Sequence, residues 1–239
     1  MTRLLLAAFG LAAIAAPAAA EDRRYAVGDF DRVVVEGPYV VHLVTGRASA
    51  ATAQGRRDAL DRVSVDVQGQ TLRIRRNRNA WGGAPGADPG TVTIALATRS
   101  LRSARLIGPA RLDLQGARGL AVELSVEGSG DLRAAGVDAD RLSLALLGSG
   151  RLEIAGAARM VSGNFQGTGD IAAAGLRAGQ AAIVTTTSGA VAVTVNGPAS
   201  VTANGLGTVR ILGRPVCTIG GVAADQVQCG AGSDQRQNR

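Results

Sequence analysis

Histidine, cysteine, lysine and aromatic side chains are nearly missing from this chain. Its 239 residues include one His and two Cys, aromatic residues make up 3%, and all 26 basic residues are Arg. Two Cys and one His cannot supply a four-cysteine or paired Cys/His zinc site, nor a bis-histidine haem site. Chemistry driven by histidine has only His42 to draw on. That residue lies in the strand-like run Val40-Val41-His42-Leu43-Val44, where a lone His is structural or solvent-facing. No Gly-x-Ser-x-Gly elbow occurs and no glycine-rich loop is followed by Lys, which removes α/β-hydrolase and P-loop chemistry. No catalytic residue, metal or cofactor is expected.

What is present begins with Met1 to Ala20: Arg3, an apolar run from Leu4 to Ala16, Pro17, then Ala18 and Ala20 in the small-residue places of a cleavage site. This reads as a Sec signal peptide cleaved after Ala20, with an uncleaved anchor as the alternative. The expected location is periplasmic or secreted, with no transmembrane segment after cleavage. Without Arg3 the chain keeps 25 basic and 19 acidic residues, a charge of +6. The densest basic cluster is Arg73, Arg75, Arg76 and Arg78, a possible contact for an anionic polymer or envelope component. Arg73 and Arg75 also alternate with Leu72 and Ile74, as the solvated face of a strand does. Nucleic acid is not an expected partner of an exported protein.

A short glycine-rich element followed by an apolar residue recurs along the chain. It appears as Gly128-Ser129-Gly130-Asp131-Leu132, Gly148-Ser149-Gly150-Arg151-Leu152 and Gly167-Thr168-Gly169-Asp170-Ile171. It continues as Ser188-Gly189-Ala190-Val191 and Gly205-Leu206-Gly207-Thr208-Val209. The glycines at 130, 150, 169, 189 and 207 are 20, 19, 20 and 18 residues apart. Between them apolar residues alternate with polar ones, as in Leu142/Leu144/Leu146, which is the period of a strand. Short strands joined at glycine corners, two per unit, give an all-β fold: a parallel β-helix with rungs of about 20 residues. The expected corner glycines are Gly128, Gly130, Gly148, Gly150, Gly167, Gly169, Gly189 and Gly207, chosen because glycine tolerates positive φ. Asp131 and Asp170 follow two of these corners at places where a calcium roll has ligands. Arg151 occupies the same place between them, and a period near 20 is not that of a nonapeptide roll.

From Phe30 to Arg76 the alternation is less regular, with a brief helical turn at 59–62. Residues 77–90 read as a loop and Thr91 to Leu96 resume the alternation. This predicts one domain over 21–229, with irregular rungs at 28–105 capping regular rungs at 106–229 and a disordered tail at 230–239. Cys217 and Cys229 flank the last apolar segment, and in an exported chain they are expected to pair as a disulfide. A polysaccharide lyase or hydrolase is the rival functional reading, since β-helices host such enzymes. Against it, four of the five aromatic residues after Ala20 precede the regular rungs, leaving few stacking platforms.

The run FDRVVVEGPYVVHLVTG, the run DALDRVSVDVQGQTLRIR and the repeated Gly-Ser-Gly-Asp-Leu units together resemble the head GIN domain family of "putative auto-transporter adhesins". The resemblance covers about residues 28–212. It implies a right-handed β-helix in an exported bacterial protein of unestablished function; together with the architecture it leads us to expect a non-enzymatic, adhesin-like binding or structural protein of the cell envelope, of unknown ligand. It supplies no catalytic residues. Nothing here resembles the membrane β-barrel that ends an autotransporter.

Overall fold

The computed structural model describes residues 21–77 and 90–230. Residues 1–20, where a signal peptide is expected, residues 78–89 including Arg78, and residues 231–239 lie outside the described residues. Eighteen strands form one continuous sheet wound into a solenoid. They are β1 (Glu21–Tyr25), β2 (Arg32–Glu36), β3 (Val40–Thr45), β4 (Ala50–Gly55), β5 (Val63–Gln68), β6 (Thr71–Arg76), β7 (Thr93–Thr98), β8 (Ser103–Ile107) and β9 (Arg111–Gln115). The regular part holds β10 (Arg118–Gly128), β11 (Asp131–Gly148), β12 (Arg151–Gly167), β13 (Asp170–Thr187), β14 (Val191–Val195), β15 (Pro198–Ala203), β16 (Val209–Gly213), β17 (Val216–Gly220) and β18 (Val227–Cys229). One short helix, α1 (Arg57–Asp61), precedes β5. Among the described residues no helix is long and apolar enough to cross a membrane.

The regular rungs are three-sided, where the sequence suggested two strands per unit. Along β11 the buried residues are Leu132 and Ala134, then Val137 and Ala139, then Leu142, Leu144 and Leu146. Two consecutive outward residues, Ala135-Gly136 and Asp140-Arg141, shift the phase of alternation between these runs and make two corners. The third corner is Ser149-Gly150. The rung is thus a strand bent twice; β12 and β13 follow it in parallel with a register shift at the first bend, and β10 pairs with it through the second.

The first face stacks β7, β3, β9, the starts of β11, β12 and β13, then β14, β16 and β18. The third face stacks β6, β2, β8, the ends of β10 to β13, then β15 and β17. Inward residues form columns of Leu, Val and Ile that run the length of the coil, a single core. Where one column meets Gly163, the ring of Phe165 takes the vacant space, and a Cβ on Gly163 would stand 2.6 Å from its Cζ.

Stacking does not follow chain order at the start. The first rung, β2 and β3, lies between the later rungs β6/β7 and β8/β9, pairing in parallel with both. Asp31 pins the place where the chain steps over. Its amide donates to Gln70 O at 3.0 Å, its carbonyl accepts from Arg102 N at 2.7 Å, and its buried carboxylate meets Arg102 Nε at 2.9 Å. The base of the coil is closed by antiparallel strands, β5 on β6 and β4 on β7 with β1 outside it, and α1 buries Ala59 and Leu60 there. At the other end Cys217 and Cys229 form a disulfide across the last rung. Both continue inward columns, Cys217 above Ala199 and Cys229 above Ile211.

Candidate functional site

Gly-x-Gly corners serve two different needs. Gly128, Gly148 and Gly167 have φ of 111°, 127° and 113°, which side-chain-bearing residues rarely adopt. Gly130, Gly150, Gly169, Gly189 and Gly207 do not have positive φ. They are required by close approach: a Cβ on Gly130 would lie 2.6 Å from Ala110 O, and each later one would strike the carbonyl of the corner glycine beneath it. The expectation of positive φ therefore holds for the first glycine of the pair and not for the second. The corners are packing devices, since Ser149 N and Gly150 N both donate to Gly128 O on the rung below, at 2.9 and 3.0 Å.

Asp131 and Asp170 stand on the first face in a column that reads Arg111, Asp131, Arg151, Asp170. Arg111 reaches Asp131 at 3.2 Å and Arg151 reaches Asp170 at 3.1 Å. Two residues further along the strands a second column reads His42, Asp113, Arg133, Glu153, with His42 Nδ1 3.3 Å from Asp113 and Arg133 Nε 3.2 Å from Glu153. Sign alternates along each column and between the two, so the face is a checkerboard. A cation at Asp131 would be repelled by Arg111 and Arg151. Among the described residues no cluster of three metal-ligating side chains exists. His42 is half-exposed within this array, and no nucleophile or buried acid faces it.

Of the basic run, Arg73, Arg75 and Arg76 lie among the described residues and Arg78 does not. Arg73 and Arg75 point outward from β6 on the third face, and Arg75 Nε lies 3.6 Å from Asp66. Arg76, at the strand end, turns instead to the rim of a cavity. Further up the same face, from β11 to β17, the outward positions are Ser143, Ala145 and Leu147, Ser162, Asn164 and Gln166, Ala182, Val184 and Thr186, Pro198, Ser200 and Thr202, then Val216 and Thr218. None is charged. The twelve charged residues between 131 and 220 all sit on the other faces or on corners and turns. Hydroxyls and amides there bond to one another, as Ser162 Oγ does to Ser143 Oγ at 3.1 Å.

The cavity, about 350 Å³, lies where the third face turns into the first at the cap. Pro38, Tyr39, Ala59 and Val92 line its apolar part, and Glu36, Arg62 and Arg76 its rim. Tyr39 is held above the ordinary tyrosine pKa, first by burial, with the Arg76 charge working against the rise. No sequence signal marks this cavity, because its walls come from β2, α1, β6 and the approach to β7.

A family model described as "Putative auto-transporter adhesin, head GIN domain" matches residues 29–215. None of the curated proteins matches the chain. Among solved structures, a "putative adhesin" from Bacteroides fragilis is 15% identical with a TM-score of 0.73, covering 89% of this chain and 96% of that one. Two from Parabacteroides distasonis, a "putative lipid binding protein" and a "putative adhesin", are each 18% identical with a TM-score of 0.65. They cover 90% and 89% of this chain and 97% of their own. At these identities the likeness is one of fold.

Proposed function

Since the chain belongs to the head GIN domain family, we propose that it is an exported, non-enzymatic, adhesin-like binding protein of the bacterial cell envelope. Its contact with a partner runs along the flat third face of the solenoid. The observation that carries this reading is the charge checkerboard. Asp113, Asp131, Glu153 and Asp170 each face a basic side chain on an adjoining rung, so no two of these carboxylates converge as a glycosidase pair must. The third face offers a surface of another kind: at its capped end Arg32, Arg73 and Arg105 stand among Glu36, Glu123 and Glu127, with Arg105 3.5 Å from Glu127, and beyond them lie uncharged hydroxyl, amide and apolar side chains. An anionic envelope polymer suits such a surface, held by exposed charge at one end and by neutral contacts along the rest.

The test is made on one preparation of the chain lacking residues 1–20. Polyuronates and neutral polysaccharides should show no turnover with or without calcium. Binding to an immobilised polyuronate should weaken several-fold between about 20 and about 150 mM salt, since exposed charges are screened over about 8 Å. Turnover abolished by Asp131→Asn or Asp170→Asn would overturn the reading.

A further inference from the structure

The geometry points to a second binding site, in the corner cavity at the cap, for a small organic anion with an apolar body, such as a medium-chain carboxylate. Elsewhere in the coil the chain passes from the third face to the first in two to six residues; β6 and β7 are separated by sixteen, of which 77 and 90–92 are among the described residues. At the cap, the described residues around this corner, among them Tyr39, Ala59, Arg62, Arg76 and Val92, line the 350 Å³ cavity. That volume lies within the range of small-molecule sites, about 300–1,000 Å³.

Its lining is divided by chemistry. The floor is the buried Tyr39 ring with Ala59 and Val92, flanked by Pro38. The rim carries two guanidinium groups, Arg62 and Arg76, against one carboxylate, Glu36. Among the described residues neither guanidinium makes an ion pair or a side-chain hydrogen bond, whereas Arg23, Arg56 and Arg75 on the same cap each face an Asp. Two cations with no ionic partner among the described residues, beside an apolar floor, favour a ligand that is anionic at one end and apolar at the other. The planar forks of Arg suit a carboxylate. A purely apolar ligand would leave the cations unused, and inorganic phosphate would leave the floor wet.

Calorimetric titration of the chain lacking residues 1–20 with sodium decanoate tests the site, with butyrate, inorganic phosphate and decyltrimethylammonium as comparison ligands. Decanoate should saturate at one per chain, with the other three at least tenfold weaker. Arg62→Gln/Arg76→Gln, both at the rim, should lose at least tenfold in decanoate affinity with an unchanged melting temperature. Ala59→Leu, which fills the floor, should lose as much. No saturable decanoate binding, equal binding of decyltrimethylammonium, or wild-type affinity in the double variant would overturn the site. Each of these results leaves the polysaccharide turnover and polyuronate measurements unaffected, so the two readings fail separately.

Discussion

A side chain on Gly150 would collide with the carbonyl oxygen of Gly130 one rung below, although the Gly150 backbone does not have positive φ. Its partner Gly148 combines the same crowding with a φ of 127°. Gly69, at a cap hairpin, has positive φ and open space around it. Three costs follow. Gly148→Val and Gly150→Ala should each destabilise by more than about 2 kcal/mol, Gly69→Ala by about 1, and Ser149→Ala by less than about 0.5. Urea unfolding of the four variants checks the order. A Gly150→Ala protein as stable as wild type would show that the rungs can separate locally.

The ion columns on the first face are exposed, so their contribution is small. Arg151→Ala should cost about 0.5 kcal/mol or less, a difference that fades in high salt. Millimolar calcium should leave the melting temperature of the wild-type protein where it was. In Arg151→Asp three carboxylates would stack at 131, 151 and 170, and calcium should then raise the melting temperature. A calcium shift in the wild-type protein would contradict the pairing of Asp131 and Asp170 with Arg.

Alkaline stability isolates the two tyrosines. The chain has no Lys, its Cys are joined, and Arg keeps its proton, so Tyr25 and Tyr39 are the side chains that titrate near pH 10. Burial raises both pKa values in the folded state. Their stabilising contribution is complete below the unfolded value of 10.0 and is lost as pH rises through the folded values. Unfolding free energy should be flat from about pH 8 to about 9.5 and fall above it. Tyr39→Phe should flatten part of that fall, and an identical slope in the variant would remove Tyr39 from the account.

For the Cys217–Cys229 bond, thiol labelling of the unfolded, unreduced chain should find no free thiol. Reduction should cost about 3 kcal/mol, as the entropy of a loop of this size suggests. Hydrogen exchange should quicken first in β17 and β18, where the two sulfurs cover columns that no further rung covers.

The solenoid and its rung length were legible because the glycines at 130, 150, 169, 189 and 207 repeat a steric requirement at every turn. The third side was not read, although Ala135-Gly136 and Asp140-Arg141 stood in the sequence: a doublet of outward residues marks a bend as well as a glycine does. The order of rungs near the cap could not be read at all. Alternation in Val33 to Glu36 shows which side chains face inward and carries no sign of which strand lies alongside. The cavity was hidden for the same reason, since Tyr39, Ala59, Arg76 and Val92 meet only after that order is set. The ion columns were half visible: Arg151 between Asp131 and Asp170 argued against calcium, but His42 and Asp113 are 71 positions apart and meet through register alone.

Because the rung of β2 and β3 is clasped between β6/β7 and β8/β9, a chain synthesised or delivered from its N-terminus cannot complete the solenoid in the order in which it emerges. The earliest rung must wait, one edge bare until about residue 98 is out and the other until about residue 115. Everything up to that point is one kinetic unit, while β11 to β16 can then be laid down turn by turn on a finished template. Shortening the chain from its C-terminal end by whole rungs should leave the cap folded. A cut between β7 and β8 should strand it, with the exposed strand edges that invite aggregation.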